Sequence, residues 1–223
     1  MANLLDEWPA TIDEARMVQD RLKSRVVTRD EMGRPEYVAG TDVSYDPGTS
    51  RARAAWAVLQ LPDLQLVDQA TTSVLVHFPY VPGFLSFREI PPLLHAFSGL
   101  KIKPDLIVCD GQGIAHPRRF GLACHLGVLL DMPALGAAKS RLVGDHSMPE
   151  LKRGNWTSLV WKGETVGAVL CTKDGIKPLF VSGGHKVGLQ MSIEMVLQLT
   201  GKYKLPETTR AAHALSKNLY RAL

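Results

Sequence analysis

Apolar residues recur at helical spacing in several stretches of the chain. In each stretch they stand three or four positions apart with polar or charged residues between them, a pattern typical of helices that pack one face on a core. The first stretch is rich in Asp, Glu, Arg and Lys, so we expect a surface helix there. We predict helices at residues 9–27, 88–97, 121–131, 187–200 and 208–223.

Shorter stretches rich in Ala, Val, Leu and Thr predict β-strands. Residues 37–45, 53–61 and 65–76 are separated only by brief turns around DPG and PDL, so we expect an antiparallel meander. Residues 105–109 and 134–138 are continuously apolar, as strands are when both faces of their sheet are covered.

The later part of the chain predicts a less regular arrangement. Residues 156–160 and 165–172 flank a Lys162-Gly163 turn and predict an inserted hairpin, and Phe180 begins what we interpret as a Gly-rich loop. An antiparallel start joined to a parallel finish predicts an α/β fold, a ribonuclease H-like mixed sheet with helices on both faces. We expect a single domain over residues 1–223.

Composition narrows the class of protein. The 223 residues are 45% hydrophobic, which suits a domain with a sizeable core. No apolar run reaches the roughly 20 residues that span a bilayer. The three cysteines form no C-x-x-C pair and the N-terminus carries acids, so we expect a cytoplasmic monomer without disulfides. The net charge of +4 weakly favours a polyanion partner.

Three carboxylates stand at comparable places in the predicted elements. Asp42 lies near the end of the first strand, Asp110 directly follows LIVC, and Glu89 opens a helix. Sites in α/β sheets gather beyond the carboxyl ends of strands, so Asp42 and Asp110 would meet if their strands are neighbours. Buried acids need a cation or donors, and oxygen ligands suit Mg²⁺ or Mn²⁺. The alternative is that the aspartates are turn or cap residues.

The glycine-rich segment at residues 111–116 has two interpretations. It follows a strand as a dinucleotide-binding turn does, but the fingerprint requires glycine at His116, and Pro117 then interrupts the helix. We therefore prefer glycines that let a ligand approach the backbone. Arg118 and Arg119 would meet phosphate at a helix start or lie solvated on its first turn, and both interpretations stay open.

A stiff aromatic loop precedes the second predicted helix. Pro79, Tyr80 and Pro82 place an aromatic ring on a proline frame, and such a wedge can enter a base stack beside an everted base. The commoner role of such a loop is structural, with one tyrosine in the core.

Long motifs over most of the chain resemble the endonuclease V family. They are AGTDVSY (39–45), PYVPGFLSFRE (79–89), the stretch from PDLIVCDGQGIAHPRR to RLVG (104–144), GHKVGLQMS (184–192) and LPETTRAAHALSK (205–217). The resemblance implies a ribonuclease H-like fold and a Mg²⁺-dependent repair endonuclease. It implies cleavage of the second phosphodiester bond 3′ to deoxyinosine in DNA, which leaves 3′-hydroxyl and 5′-phosphate ends. Inosine in RNA is the alternative substrate.

The resemblance also implies roles for individual residues. Tyr80 matches the wedge that Pro79 and Pro82 frame. The residues that match the catalytic set are the metal-binding acids Asp42, Glu89 and Asp110, together with Lys139 in AAKS, near the cut phosphate, and His213 in TRAAH.

Choice of lesion requires a pocket that reads a base edge. Hypoxanthine presents an N1–H donor and an O6 acceptor where adenine presents the reverse. Backbone groups could read this edge, and adenine would leave each of them unpaired at about 1–3 kcal/mol. We expect the pocket at Gly83, Leu85, Gly111, Gly113 and His116.

Two functions from other classes remain as alternatives. A non-catalytic nucleic-acid-binding module predicts the loss of one metal-binding acid, and all three acids are present. A nucleotide-cofactor enzyme rests on the imperfect glycine fingerprint, and thermal stabilisation by NAD would favour it.

Overall fold

The computed structural model describes residues 8–218 and places eight strands in one mixed sheet. The strands are β1 (Tyr37–Tyr45), β2 (Arg51–Gln60), β3 (Gln65–Leu75), β4 (Leu106–Cys109), β5 (Ala134–Ala138), β6 (Trp156–Trp161), β7 (Glu164–Leu170) and β8 (Leu179–Gly183). The helices are α1 (Ile12–Leu22), α2 (Leu85–Phe97), α3 (Leu122–Leu130), α4 (Leu189–Gln198) and α5 (Glu207–Asn218). The strand order across the sheet is β3-β2-β1-β4-β5-β8-β7-β6.

Strand β1 joins the antiparallel and parallel parts of the sheet. It pairs antiparallel with β2, which pairs antiparallel with β3, so the predicted meander is present. On its other side β1 pairs parallel with β4, and β4 pairs parallel with β5. Thr41 lies opposite Cys109, and the next residues of the two segments, Asp42 and Asp110, therefore lie at the same end. We call this end, where β1, β4 and β5 finish, the carboxyl edge.

Helices cover both faces of the sheet, as the apolar strands predicted. Along β4 the side chains alternate: Ile107 belongs to a buried cluster with Ile90 of α2 and Leu126 of α3. Leu106 belongs to a second cluster with Val196 of α4. Helix α5 packs on β1 and β2, and α4 packs on β7 and β8. The α/β fold with a mixed, ribonuclease H-like sheet is therefore confirmed.

The later strands differ from the sequence prediction. The hairpin of β6 and β7 is no insertion, because β7 pairs with β8 and extends the main sheet. Residues 179–183, which we interpreted as the start of a loop, form the buried strand β8. Its glycine signals a turn locally, but β5 and β7 supply hydrogen bonds on both sides, and such long-range pairing decides the structure.

Several helix ends also differ from their predicted positions. Helix α1 begins later than predicted, after a capping box formed by Thr11 and Glu14. Helix α2 begins at Leu85 rather than residue 88. Residues 219–223 of the predicted terminal helix lie outside the described residues. Within residues 8–218 no helix is both long enough and apolar enough to cross a bilayer.

Candidate active site

A cavity of about 390 Å³ opens at the carboxyl edge. Three elements each contribute one acid to its wall: β1 contributes Asp42, α2 contributes Glu89, and the turn after β4 contributes Asp110. The segment after β5 adds Lys139. Carboxylates that are up to 68 positions apart in the sequence thus line one space, because β1 and β4 are parallel neighbours and α2 packs on β1 and β2.

Helix α2 holds Glu89 although two prolines follow it. Pro91 has no N–H for the carbonyl of Phe87, and the indole Nε1 of Trp8 donates to that carbonyl at 2.9 Å. Arg88 donates to the carbonyl oxygen of Phe78 at 2.6 Å, and its guanidinium lies 4.4 Å from the centre of the Tyr45 ring. These contacts fix the start of α2 against the preceding loop and against β1.

Negative charge is concentrated around Glu89. Burial, then the neighbouring carboxylates of Asp42 and Asp110, raises the pKa of Glu89 to about 8, although Arg88 opposes the shift. An acid that resists ionisation beside two other acids lacks compensating positive charge. A set of carboxylate oxygens with this deficit fits a hard divalent cation such as Mg²⁺ or Mn²⁺.

Two of the acids also have protein partners. Asp42 accepts hydrogen bonds from the Ser216 hydroxyl at 2.5 Å and from Nδ1 of His213 at 3.2 Å. Asp110 forms an ion pair with Lys139. In residues 8–218 no three His, Cys, Asp or Glu side chains form a ready-made metal cluster. The acids therefore line one cavity without closing on a common centre.

Ser216 is a site residue that the sequence interpretation missed. It is buried on α5, one helical turn after His213, and both side chains reach the same oxygen of Asp42. The spacing of three residues was the available signal, since residues i and i+3 share a helix face. Without a partner identified across the fold, a serine in a helix carries no such meaning.

Another part of the cavity wall is built around Gly83. Its φ of +82° favours glycine, and its carbonyl oxygen accepts from Gln19 at 3.0 Å, His116 at 3.0 Å and Arg118 at 2.7 Å. The backbone N–H of Arg118 donates to Nδ1 of His116, so Nε2 carries the hydrogen that binds Gly83. Burial, then the charge of Arg118, lowers the pKa of His116 to about 4 and keeps this ring neutral.

The predicted pocket residues separate into two groups. Gly83, Leu85, Gly111 and His116 all line the cavity. Gly113 is not among the lining residues. Its N–H donates to Ser182 Oγ at 2.8 Å, and a Cβ there would lie 2.0 Å from the carbonyl oxygen of Gly183. Gly113 therefore permits close backbone packing behind the wall.

The aromatic loop lies at the mouth of the cavity. Tyr80 and Pro82 belong to its lining, whereas Pro79 does not. Tyr80 is 70% exposed, so it is not the core tyrosine of the structural alternative. An exposed ring at the rim of a pocket is placed to contact a ligand that enters it.

Both arginines after His116 stabilise the fold instead of starting a helix. Residues 116–120 form turns, and α3 begins only at Leu122. Arg118 contacts Gln19 and Gly83 and stacks 4.2 Å from the centre of the Phe84 ring. Arg119 has a φ of +56° and pairs with Glu164 at 2.7 Å. The helix start that we expected at Arg118 and Arg119 is therefore wrong, whereas the helix predicted at residues 121–131 is present as α3.

Comparison with known proteins shows the family to which the chain is similar. A family model for endonuclease V matches residues 20–214. Endonuclease V of Trichormus variabilis is 50% identical over 212 residues, which cover 95% of this chain and 96% of that protein. The crystal structure of Streptomyces avermitilis endonuclease V has a TM-score of 0.92 and 46% identity, and the match covers 97% of this chain and 96% of that one.

A further structure includes nucleic acid. Ciona intestinalis endonuclease V, in complex with a 24mer DNA containing an inosine followed by a ribo-adenosine, has a TM-score of 0.85 and 30% identity. The match covers 95% of this chain and 98% of that chain. Because the family model, the relatives and the solved structures all match this chain over most of its length, the chain belongs to the endonuclease V family and is an endonuclease.

Proposed function

We propose that this endonuclease recognises deoxyinosine in DNA and hydrolyses the second phosphodiester bond 3′ to it, leaving 3′-hydroxyl and 5′-phosphate ends. One observation carries the proposal: a single cavity joins three carboxylates to a glycine-containing wall beneath the exposed Tyr80. The likeness to a relative bound to inosine-containing DNA supports the same lesion. The proposed cofactor is Mg²⁺, with Mn²⁺ as a substitute.

Asp42, Glu89 and Asp110 are the residues that would hold the cation. Their oxygens surround the cavity, and the raised pKa of Glu89 reflects the charge that a cation would neutralise. When bound, a divalent ion supplies polarisation of a phosphate and a lower pKa for a coordinated water. The hydroxyl of Ser216 and the imidazole of His213 keep Asp42 oriented toward the site.

Lys139 is the residue that would compensate charge on the phosphate. It is exposed at the cavity wall, and Asp110 holds its ammonium there through an ion pair. A fixed positive charge beside the reacting phosphate stabilises the negative charge that grows on its oxygens during hydrolysis. Lys139 therefore acts on the phosphate side of the site, across from the base pocket.

The start of α2 is suited to read the base. Leu85 and Ser86 form its first turn, both line the cavity, and no side chain caps the helix. The N–H groups of a first helical turn have no partners within the helix, so they can donate to the O6 acceptor of hypoxanthine. Adenine presents an amino group there. The carbonyl of Gly83 is already engaged by three donors, so Gly83 shapes the pocket rather than reads the base.

Cleavage of matched duplexes tests the proposal. With Mg²⁺, a duplex with one inosine should be cut at the second phosphodiester bond 3′ to it, and the same duplex with adenine should stay intact. EDTA and Asp42→Ala should abolish cleavage, whereas Asp63→Ala, an exposed aspartate on the turn between β2 and β3, should not. Equal cutting of the adenine duplex would contradict the proposal. A matched RNA strand separates a DNA-directed from an RNA-directed enzyme.

A further inference from the structure

A group of lysines lies beside the cavity, on the side away from Gly83. Strand β5 runs antiparallel to β8, with Ala138 opposite Phe180. Continuing this register past the end of β5 places Lys139 opposite Leu179, the first residue of β8, and Lys177 lies two residues before it. The carboxyl edge therefore extends beyond the acids into the loop between β7 and β8.

The segment between α4 and α5 adds Lys204 to this group. The Thr172 hydroxyl donates to the carbonyl of Lys204 at 2.7 Å, and the Lys173 ammonium donates to the carbonyl of Lys202 at 2.9 Å. These bonds tie the segment to the loop between β7 and β8. Partial burial, then the charges of Lys177 and Lys139, lowers the pKa of Lys204, which agrees with three ammonium groups close together.

Lys139 pairs with Asp110, but among the residues that the structure describes the other two lysines of this group have no acidic partner. In the described part of the chain, neither Lys177 nor Lys204 forms an ion pair with a carboxylate. Asp174, in the same loop as Lys177, instead accepts a hydrogen bond at 2.6 Å from the backbone N–H of Arg153. Clustered cations without acidic partners form a favourable contact for a polyanion.

The position of the lysines indicates the path that a bound DNA strand would follow. The wall with Gly83, Leu85 and His116 lies on the side of α2 and α3, whereas Lys204 follows α4 on the opposite face of the sheet. Asp42 on β1 and Asp110 after β4 belong to the sheet and lie between these two faces. A strand whose lesion occupies the pocket and whose cut bond lies at the acids would continue toward the lysines.

We propose that Lys177 and Lys204 bind phosphates of the DNA strand on the 3′ side of the cut bond, continuing the contact begun by Lys139. This inference rests on the proposed function, since the position of the cut 3′ to the lesion sets the direction. The two lysines hold the downstream backbone and do not touch the base. They therefore contribute affinity that depends on salt and on the length of the 3′ flank.

Salt-dependent binding to inosine duplexes tests the proposal, with fluorescence anisotropy in EDTA so that the DNA stays intact. One duplex continues well past the cut position on its 3′ side, and a second ends just after it. Lys177→Gln combined with Lys204→Gln should make the slope of log K against log salt shallower by about 1.8 on the long duplex, as expected for two lost phosphate contacts. On the short duplex this variant should match the wild type.

The control has the same change in charge elsewhere. Lys101→Gln combined with Lys103→Gln removes two exposed lysines before β4, at the opposite end of the sheet, and should bind both duplexes as the wild type does. An unchanged slope for the Lys177 and Lys204 variant, or an equal loss on both duplexes, would overturn the inference. Failure of the proposed function would appear separately, as wild-type binding without preference for inosine over adenine.

Discussion

At the scale of single residues, Glu89 gives the folded protein a distinctive pH dependence in the absence of divalent metal. Its pKa of about 8 lies above that of an unfolded glutamate. Between about pH 4.5 and 8 the folded state therefore binds a proton that the unfolded chain has released, and the free energy of unfolding falls as pH rises. Glu89→Gln should remove this loss, on the order of 4 kcal/mol between pH 5 and 8.5.

Urea unfolding in EDTA at several pH values measures this difference. Glu194→Gln, at an exposed glutamate on α4, is the control and should follow the wild type. If Glu89→Gln kept the wild-type decline in stability, the crowding of carboxylates around Glu89 would be contradicted.

We expect Tyr80 to affect the binding of DNA and not the stability of the fold, because its ring is exposed at the cavity mouth. Tyr80→Ala should weaken binding of inosine-containing DNA by about 1–3 kcal/mol, the contribution of one base–aromatic stacking contact. Unfolding free energy should change by less than about 0.5 kcal/mol, as for other surface positions. Tyr80→Phe keeps the ring and should bind as the wild type does. Normal inosine binding by Tyr80→Ala, measured by anisotropy, would show that the wedge assignment is wrong.

At the scale of elements, the close packing of α5 on β1 positions the partners of Asp42. Gly40 faces this helix, and a Cβ there would lie 2.1 Å from the carbonyl carbon and oxygen of Thr208. Gly40→Ala should displace α5 from the sheet and lower the unfolding free energy by about 3 kcal/mol. Cleavage should also fall, because His213 and Ser216 would no longer contact Asp42. Gly33→Ala, where no atom lies within 4 Å, should be neutral. Equal effects of the two changes in urea unfolding and cleavage assays would contradict this role of α5.

Elements with a strong local pattern could be predicted from the sequence, and those made by distant pairing could not. The apolar run LIVC predicted β4, and the turns around DPG and PDL predicted the meander of β1, β2 and β3. Strand β8 was not predicted, because Ser182 and Gly183 resemble a turn in the sequence. Only its pairing with β5 and β7 makes it a strand. The start of α3 was predicted within one residue, but the helix start expected at Arg118 and Arg119 is absent, because residues 116–120 form turns in which Arg119 takes a positive φ.

At the scale of the whole molecule, the sheet order brings the site together. The adjacency of β1 and β4 was a condition of the sequence argument, and it is present. The family motifs indicated Asp42, Glu89 and Asp110, but no local signal showed that Ser216 holds Asp42 or that the carbonyl of Gly83 is already engaged. These roles depend on contacts between residues that are distant in the sequence. Ser216 is 174 positions from Asp42, and Arg118 is 35 positions from Gly83.

The central proposal is that Asp42, Glu89 and Asp110 bind a divalent cation, and titration with Mn²⁺ followed by electron paramagnetic resonance tests it without DNA. The wild type should bind Mn²⁺, and Asp42→Ala, Glu89→Ala and Asp110→Ala should each weaken binding at least tenfold, about 1.4 kcal/mol or more. Asp63→Ala should leave binding unchanged. Wild-type affinity in all three variants, each shown to be folded by its thermal unfolding, would contradict the account.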